Sequence, residues 1–141
     1  MKILIASLLI LLSFTDICQA SVSNEECELK KKCGEEAARY FSELHGKGEK
    51  VTDTGVISAG YLTHYNKTNN ACYIQRFVVN ISAKGIPTRI SKILEEIHEN
   101  SLIGYCLTKY GDATAYSCIV GDARCSAEKE FDNLIKPYMT Q

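Results

Sequence analysis

No apolar run beyond the first residues of this 141-residue chain is long enough to cross a membrane, which takes roughly 20 apolar residues. Charge of one sign is not in excess: 16 basic residues stand against 17 acidic ones, for a net charge of −1. That balance excludes a chain built to grip a phosphate backbone, so no nucleic-acid partner is expected. Lys30-Lys31-Lys32 is the one basic cluster, and it reads as a solvated helix face. A C-x-x-C pair is missing, and His45, His64 and His98 are scattered. Zinc-ligand spacing is therefore absent, and no metal is implied. The G-x-S-x-G, P-loop and H-E-x-x-H signatures are missing as well, so no catalytic residue and no cofactor can be assigned. Repeats and low-complexity stretches are absent too.

The chain opens with Met1-Lys2 and then an uncharged apolar stretch over residues 3–12. A positive start followed by an apolar run of this length is a secretory signal peptide. Asp16 interrupts it too early for a spanning helix. The signal peptide is expected to cover residues 1–20, with cleavage between Ala20 and Ser21. Residues 21–141 would then form a single domain, secreted or periplasmic, with no membrane insertion after cleavage and the net charge still −1.

Cleavage would discard Cys18 and leave Cys27, Cys33, Cys72, Cys106, Cys118 and Cys125. An even number in an exported chain implies a disulfide framework. Cys27 and Cys33 fall in one expected helix, about 9 Å of rise and about 240° of rotation apart. Disulfide Cα atoms sit within about 7 Å, so these two are not expected to pair with each other. Cys118 and Cys125 flank a segment with Gly121-Asp122 that can fold back, and a local bridge is expected there. Cys27 and Cys33 would then pair with Cys72 and Cys106, in an order the sequence leaves open. Each bridge is worth on the order of 2–4 kcal/mol.

Ser23 followed by Glu26 is a capping-box pattern. Leu29, Cys33, Ala37, Tyr40, Phe41 and Leu44 then recur at helical spacing, until Gly46 and Gly48 stop the helix. Residues 46–55 read as a polar loop. Residues 56–65 and 72–82 are rich in β-branched and aromatic residues, with turn formers at 66–70 between them, and predict a hairpin. In the second strand both faces are largely apolar, which predicts cover on both sides. Residues 90–98 fit helical spacing through Ile90, Ile93, Leu94 and Ile97, but the turn at Glu99-Asn100-Ser101 also allows a hairpin with a strand at 102–109. A further strand is expected at 115–120. Ser126 is expected to cap a last helix with Ala127, Phe131, Leu134 and Ile135 as its apolar stripe and Pro137 as its stop. The fold class expected is α+β: an antiparallel sheet of four to five short strands packed by an N-terminal and a C-terminal helix, stapled by disulfides.

Two polar clusters compete as sites. His64, Tyr65 and Asn66 could form a binding loop beside a rigid sheet, although the neighbouring asparagines also simply build turns. Glu95, Glu96 and His98 could form an acid–base set, although nothing fixes a carboxylate separation and ordinary surface positions explain them better. Asn66-Lys67-Thr68 and Asn80-Ile81-Ser82 match the glycosylation acceptor pattern, which carries meaning only in a eukaryotic secretory pathway.

The stretch Tyr61-Leu62-Thr63-His64-Tyr65-Asn66-Lys67-Thr68-Asn69-Asn70-Ala71-Cys72-Tyr73-Ile74 resembles a group of small bacterial exported proteins of uncharacterised function, which share a His-Tyr-Asn…Asn-x-Cys hairpin. The similarity continues through an acidic strand, a turn and an aromatic strand over residues 93–105. It ends in Glu130-Phe131-Asp132-Asn133-Leu134-Ile135-Lys136-Pro137-Tyr138-Met139. The resemblance favours the hairpin reading of residues 90–109. It brings no assigned activity, and Cys27 and Cys106 stand as extra cysteines. The function expected is a small exported binding or interaction protein with a protein partner. The alternatives are an inhibitor of a foreign hydrolase such as lysozyme, a small secreted hydrolase using His64 or the Glu95/Glu96 pair, and a thiol-redox protein.

Overall fold

The computed structural model describes residues 23–140. The expected signal peptide, its cleavage site and Cys18 lie outside the described residues. The order is α1 (Asn24–His45), β1 (Glu49–Thr52), β2 (Gly55–Asn66), β3 (Ala71–Ser82), β4 (Pro87–Glu96), β5 (Ser101–Lys109), β6 (Ala115–Val120), β7 (Ala123–Arg124) and α2 (Glu128–Met139). The strands form one antiparallel sheet in sequence order, β1 to β7.

The α+β class and the disulfide staples are as expected, but the sheet has seven strands instead of four to five. The residues expected to be loop at 46–55 contain β1, whose residues are almost all exposed. A polar edge strand shows no alternation, so its sequence cannot be told from loop. The other extra strand, β7, is two residues long and follows the tight turn that the Cys118–Cys125 bridge closes. Residues 87–96 and 101–109 are strands joined by a turn, which settles the helix-or-strand ambiguity there.

Ser23 caps α1 by accepting from the Glu26 backbone N–H at 3.2 Å, and Gly46 ends the helix with φ of 60°. Cys33, Ala37 and Phe41 line its buried stripe. On its outer side Lys30 and Lys32 pair with Glu26 and Glu36 one turn away, so two members of the lysine run are a solvated, charge-paired face. The second helix differs from expectation at both ends. Its N-cap is Ala127, while Ser126 hydrogen-bonds the Glu130 carboxylate. Pro137 lies inside the helix, which runs two residues further. A proline there removes one backbone donor, and the nearby end of the helix is held by a side chain from elsewhere (below).

The two helices cover opposite faces of the sheet. Under α1, Cys33 and Tyr65 pack with Cys72, while Ala37 and Phe41 pack on Ile74. Phe131 and Ile135 of α2 cover Ala71, Tyr73, Leu94, Cys106, Cys118 and Val120 on the other face. Consecutive residues of β3 thus enter two different cores, which is why both of its faces are apolar. Burying side chains such as Phe131 and Ile135 is worth about 1.5–3 kcal/mol each.

Cys33–Cys72 ties α1 to β3, with Cα atoms 5.4 Å apart, and Cys118–Cys125 closes the β6–β7 turn at 5.0 Å. The expected disulfide at Cys106 does not form: Cys106 is a buried thiol. Its side chain lies on the α2 face, whereas Cys27 belongs to the helix on the opposite face, so the sheet stands between them. Cys27 is disulfide-bonded, and its partner is none of the other described cysteines. Two bridges within the described residues fit a chain that matures in an oxidising compartment. No helix among the described residues is long and apolar enough to cross a membrane.

Candidate functional site

The residues read from sequence as a binding loop are largely interior. Asn66 is fully buried, and Tyr65 is nearly so. The Tyr65 hydroxyl donates to Asn70 Oδ1 at 2.7 Å. Asn66 Nδ2 donates to the backbone carbonyls of Pro137 and Tyr138 at 2.9 and 3.3 Å, and its Oδ1 accepts from the Asn69 N–H at 3.1 Å. Both ends of the amide are therefore used inside the fold, and the Asn66 sequon presents no accessible amide. His64 is half-buried at the end of β2.

The acid–base candidates are separated. Glu95 faces α1, where its carboxylate meets Arg76 Nε at 2.7 Å and accepts from the Tyr40 hydroxyl at 3.2 Å. Arg76 Nη1 donates to His45 Nε2 at 2.9 Å. Burial, then the neighbouring Arg76 charge, lowers the His45 pKa below its usual value. Burial and the Glu95 carboxylate raise the Tyr40 pKa. Glu96 is buried and works on backbone: it accepts from the N–H groups of Cys72, His98 and Glu99. His98 Nε2 pairs with Glu36 of α1 at 2.6 Å, and its Nδ1 lies 3.4 Å from Glu96. All three groups are engaged in holding α1 and the β4–β5 turn in place.

A third polar cluster lies at the N-terminal half of α2. Lys92 reaches Glu128 at 2.6 Å and Asp132 at 2.8 Å. Burial works to lower the Lys92 pKa, but the two carboxylates outweigh it and the net shift is upward. Cys106 lies on the same face, and burial first, then the Glu128 and Asp132 charges, push its thiol up to about 11. A thiol so held is protonated and unreactive at neutral pH.

What remains open is a sheet face. Helix α1 packs on β2 and β3 and reaches β4 at Glu95, and among the described residues no helix covers the same side of β5, β6 and the rest of β4. Burial along β5 and β6 records this by alternation. Gly104, Cys106, Thr108, Cys118 and Val120 are buried toward α2, while Tyr105, Leu107, Ser117 and Ile119 between them are half-exposed.

Cross-strand register sets these residues in rows. Arg124, Ile119, Tyr105 and Ile93 stand side by side, ending at Arg76 beside α1. Ser117, Leu107, Ser91 and Val78 form the next row, and Lys109, Arg89 and Asn80 the third. A bulge between β5 and β6 sets Tyr116 out of register. It brings the ring over the third row, with the Arg89 guanidinium 5.8 Å from its centroid. Bulges commonly re-aim a side chain in this way.

Two shallow depressions meet at Tyr116. One, of about 540 Å³, is lined by Asn80, Thr88, Arg89, Lys109, Asp112 and Tyr116. The other, of about 310 Å³, lies over Tyr105, Ser117, Ile119, Arg124 and the edge of the Cys118–Cys125 bridge. The face therefore has an aromatic and aliphatic centre, Tyr105, Leu107, Ile119 and Ile93, with Tyr116, Arg89, Lys109 and Arg124 at its margin. Tyr116 is 56 % exposed. None of these residues stands in a recognisable motif. Their one sequence signal is that strands 101–109 and 115–120 are rich in apolar residues on both faces while only one helix remains to cover them. Comparison with family models, with curated proteins and with solved structures gives no match.

Proposed function

We propose that this chain is an exported, disulfide-stabilised binding protein that acts through the open face of β4, β5 and β6. The observation that carries the reading is the alternation in β5 and β6, where an apolar and aromatic row is left half-exposed beside a row buried under α2. An apolar centre within a polar margin, with tyrosine and arginine prominent, is the composition of a protein–protein contact. The signal peptide expected at residues 1–20 and the bridges support export to the periplasm or the extracellular space. The sequence resemblance to small exported bacterial proteins agrees with this setting.

The test is site-directed cross-linking. A photo-reactive residue replaces Tyr116 on the open face, and a second version carries it at Lys31 on the outer side of α1. Both are exposed to an extract of the producing cell's envelope and medium. A stoichiometric adduct from position 116 and none from position 31 is the expected result. Adducts from position 31 alone, or from neither, would remove the open face as the binding surface.

A further inference from the structure

We infer that the partner of this face is a protein presenting acidic side chains around an apolar patch, an inference that rests on the binding role proposed above. Three cations margin the face, and they do so from two sides: Arg124 at the β7 end of the first row, and Arg89 with Lys109 in the third row, four residues further along β4 and β5. None of the three has an ion-pair partner among the described residues. The carboxylate closest to being their counterpart is Asp112, which lines the Arg89 and Lys109 depression. Glu95, at the α1 end of this side, is spent on Arg76 and Tyr40. The face is thus positive on a chain whose net charge is −1.

Arginine and lysine ringing an apolar centre complement carboxylates ringing another. Arg89 is positioned for this, because its guanidinium lies 5.8 Å from the Tyr116 ring centroid and its N–H groups can donate to a carboxylate in bidentate fashion. A partner of basic surface meets like charge at all three positions, which disfavours the inhibitor reading for any strongly basic hydrolase. A nucleic acid or anionic bilayer wants a denser run of cations than three spread around a Tyr, Leu and Ile centre.

The protein as secreted is labelled with ¹⁵N and titrated with three probes. The first is a short peptide alternating Glu with Leu and Tyr, the second is the same peptide with Gln for Glu, and the third is vesicles of phosphatidylglycerol. The acidic peptide is expected to shift the amides of Tyr105, Leu107, Tyr116, Ile119, Arg89 and Arg124. It should bind at least about tenfold more tightly than the Gln peptide and weaken as salt is raised. R89E combined with R124E should remove that advantage. Both positions are exposed, so an unchanged denaturation midpoint shows that the variant is folded. Equal binding of both peptides at these residues would overturn the acidic partner and leave the face standing as a binding surface. Shifts confined to α1, or no binding of either peptide, would overturn both. Tighter binding to vesicles than to the acidic peptide would replace a protein partner with a lipid one.

Discussion

Asn66 Nδ2 donates to the carbonyl of Pro137, 71 residues away, at 2.9 Å. It also donates to the carbonyl of Tyr138 at 3.3 Å. The last carbonyls of a helix have no partner within it, so a side chain from the β2–β3 turn serves as the C-terminal cap of α2. Tyr73 adds an edge-on ring contact with Tyr138, centroids 5.3 Å apart. The two stretches that carry the sequence resemblance, the hairpin at residues 61–74 and the helical end at 130–139, meet at this point.

Replacing Asn66 with Ala is therefore expected to cost about 2–3 kcal/mol, because two helix-end carbonyls and the Asn69 N–H lose a buried partner together. Asn66→Asp should be worse at neutral pH, since a buried carboxylate has no hydrogen to offer the carbonyls. Its folded-state pKa would be raised above the unfolded value near 3.9, so stability should recover as pH falls through the folded pKa. Denaturant titrations at two pH values read both effects. An Asp variant indifferent to pH would show that the carbonyls do not see this side chain.

The bridges should differ in worth. Cys33–Cys72 closes a separation of 39 residues and Cys118–Cys125 one of 7. Chain-entropy arguments give about 4 kcal/mol for the first and about 2.4 kcal/mol for the second. Urea titrations of the paired serine variants should rank them in that order, and the reverse ranking would point to strain or local structure instead. A non-reduced peptide map of the native protein checks the same assignments. Cys106 should resist alkylation until the chain unfolds, because it is 1 % exposed and its thiol is pushed up to about 11. That map also names the partner of Cys27, and Cys18 recovered in linkage to it would overturn cleavage before Ser21.

His45 gives the fold a dependence on acidity. Burial and Arg76 hold its pKa below the ordinary value near 6.5. Above that value both folded and unfolded chains carry it neutral, and the contribution is fully present. As pH falls below it, the unfolded chain takes up the proton first, so stability declines until the folded pKa is passed. His45→Gln keeps an acceptor for Arg76 and should flatten this part of the profile. Thermal denaturation between about pH 5 and pH 7.5 measures it. Parallel profiles for the two proteins would mean that His45 is not the group responsible.

Gly104 leaves no room for a side chain between β5 and β6. A Cβ there would lie 2.7 Å from the Ile119 carbonyl oxygen and 3.0 Å from the Val120 Cα, both backbone. Neither can swing aside as a side-chain tip would. Gly104→Ala should cost about 1–3 kcal/mol, the usual range for overpacking. It should also disturb the register that sets Tyr105 beside Ile119. Amide exchange across β5 and β6 is the readout, and unchanged protection there would show that the strands can part without loss.

The readable parts of the sequence were those with a periodic apolar signal. The strands of the β2–β3 hairpin, the two-sided apolarity of β3 and the capped start of α1 all follow from residue spacing. The edge strand β1 was not readable, because Glu49, Lys50 and Thr52 are polar and pairing with β2 alone makes them a strand. Pro137 misled because a proline near a helix end removes one bond and need not stop the helix. His64, Tyr65 and Asn66 drew attention as a polar run, yet Tyr65 and Asn66 are buried and internally bonded. Arg89, Lys109, Tyr116 and Arg124 drew none, because they come from separate strands and only register brings them together. Cys106 could not be told from a bridging cysteine until the sheet was seen to separate it from α1.

The strand order also bears on how the chain assembles. Each strand pairs with its neighbour in sequence, from β1 to β7. Every ladder can therefore form by closing a short loop, and topologies of short sequence separation fold fast. Contacts that join distant segments are few by comparison, and two of them are Cys33–Cys72 and Asn66–Pro137. The first needs an oxidant and the second needs the final helix. In a chain that emerges from its N-terminus, β1 to β6 can zip before either is available. Until α2 docks, Leu94, Cys106, Cys118 and Val120 stand uncovered, and the thiol of Cys106 lies open beside Cys118, its cross-strand partner. Docking of the last helix thus closes over Cys106 and Cys118 together.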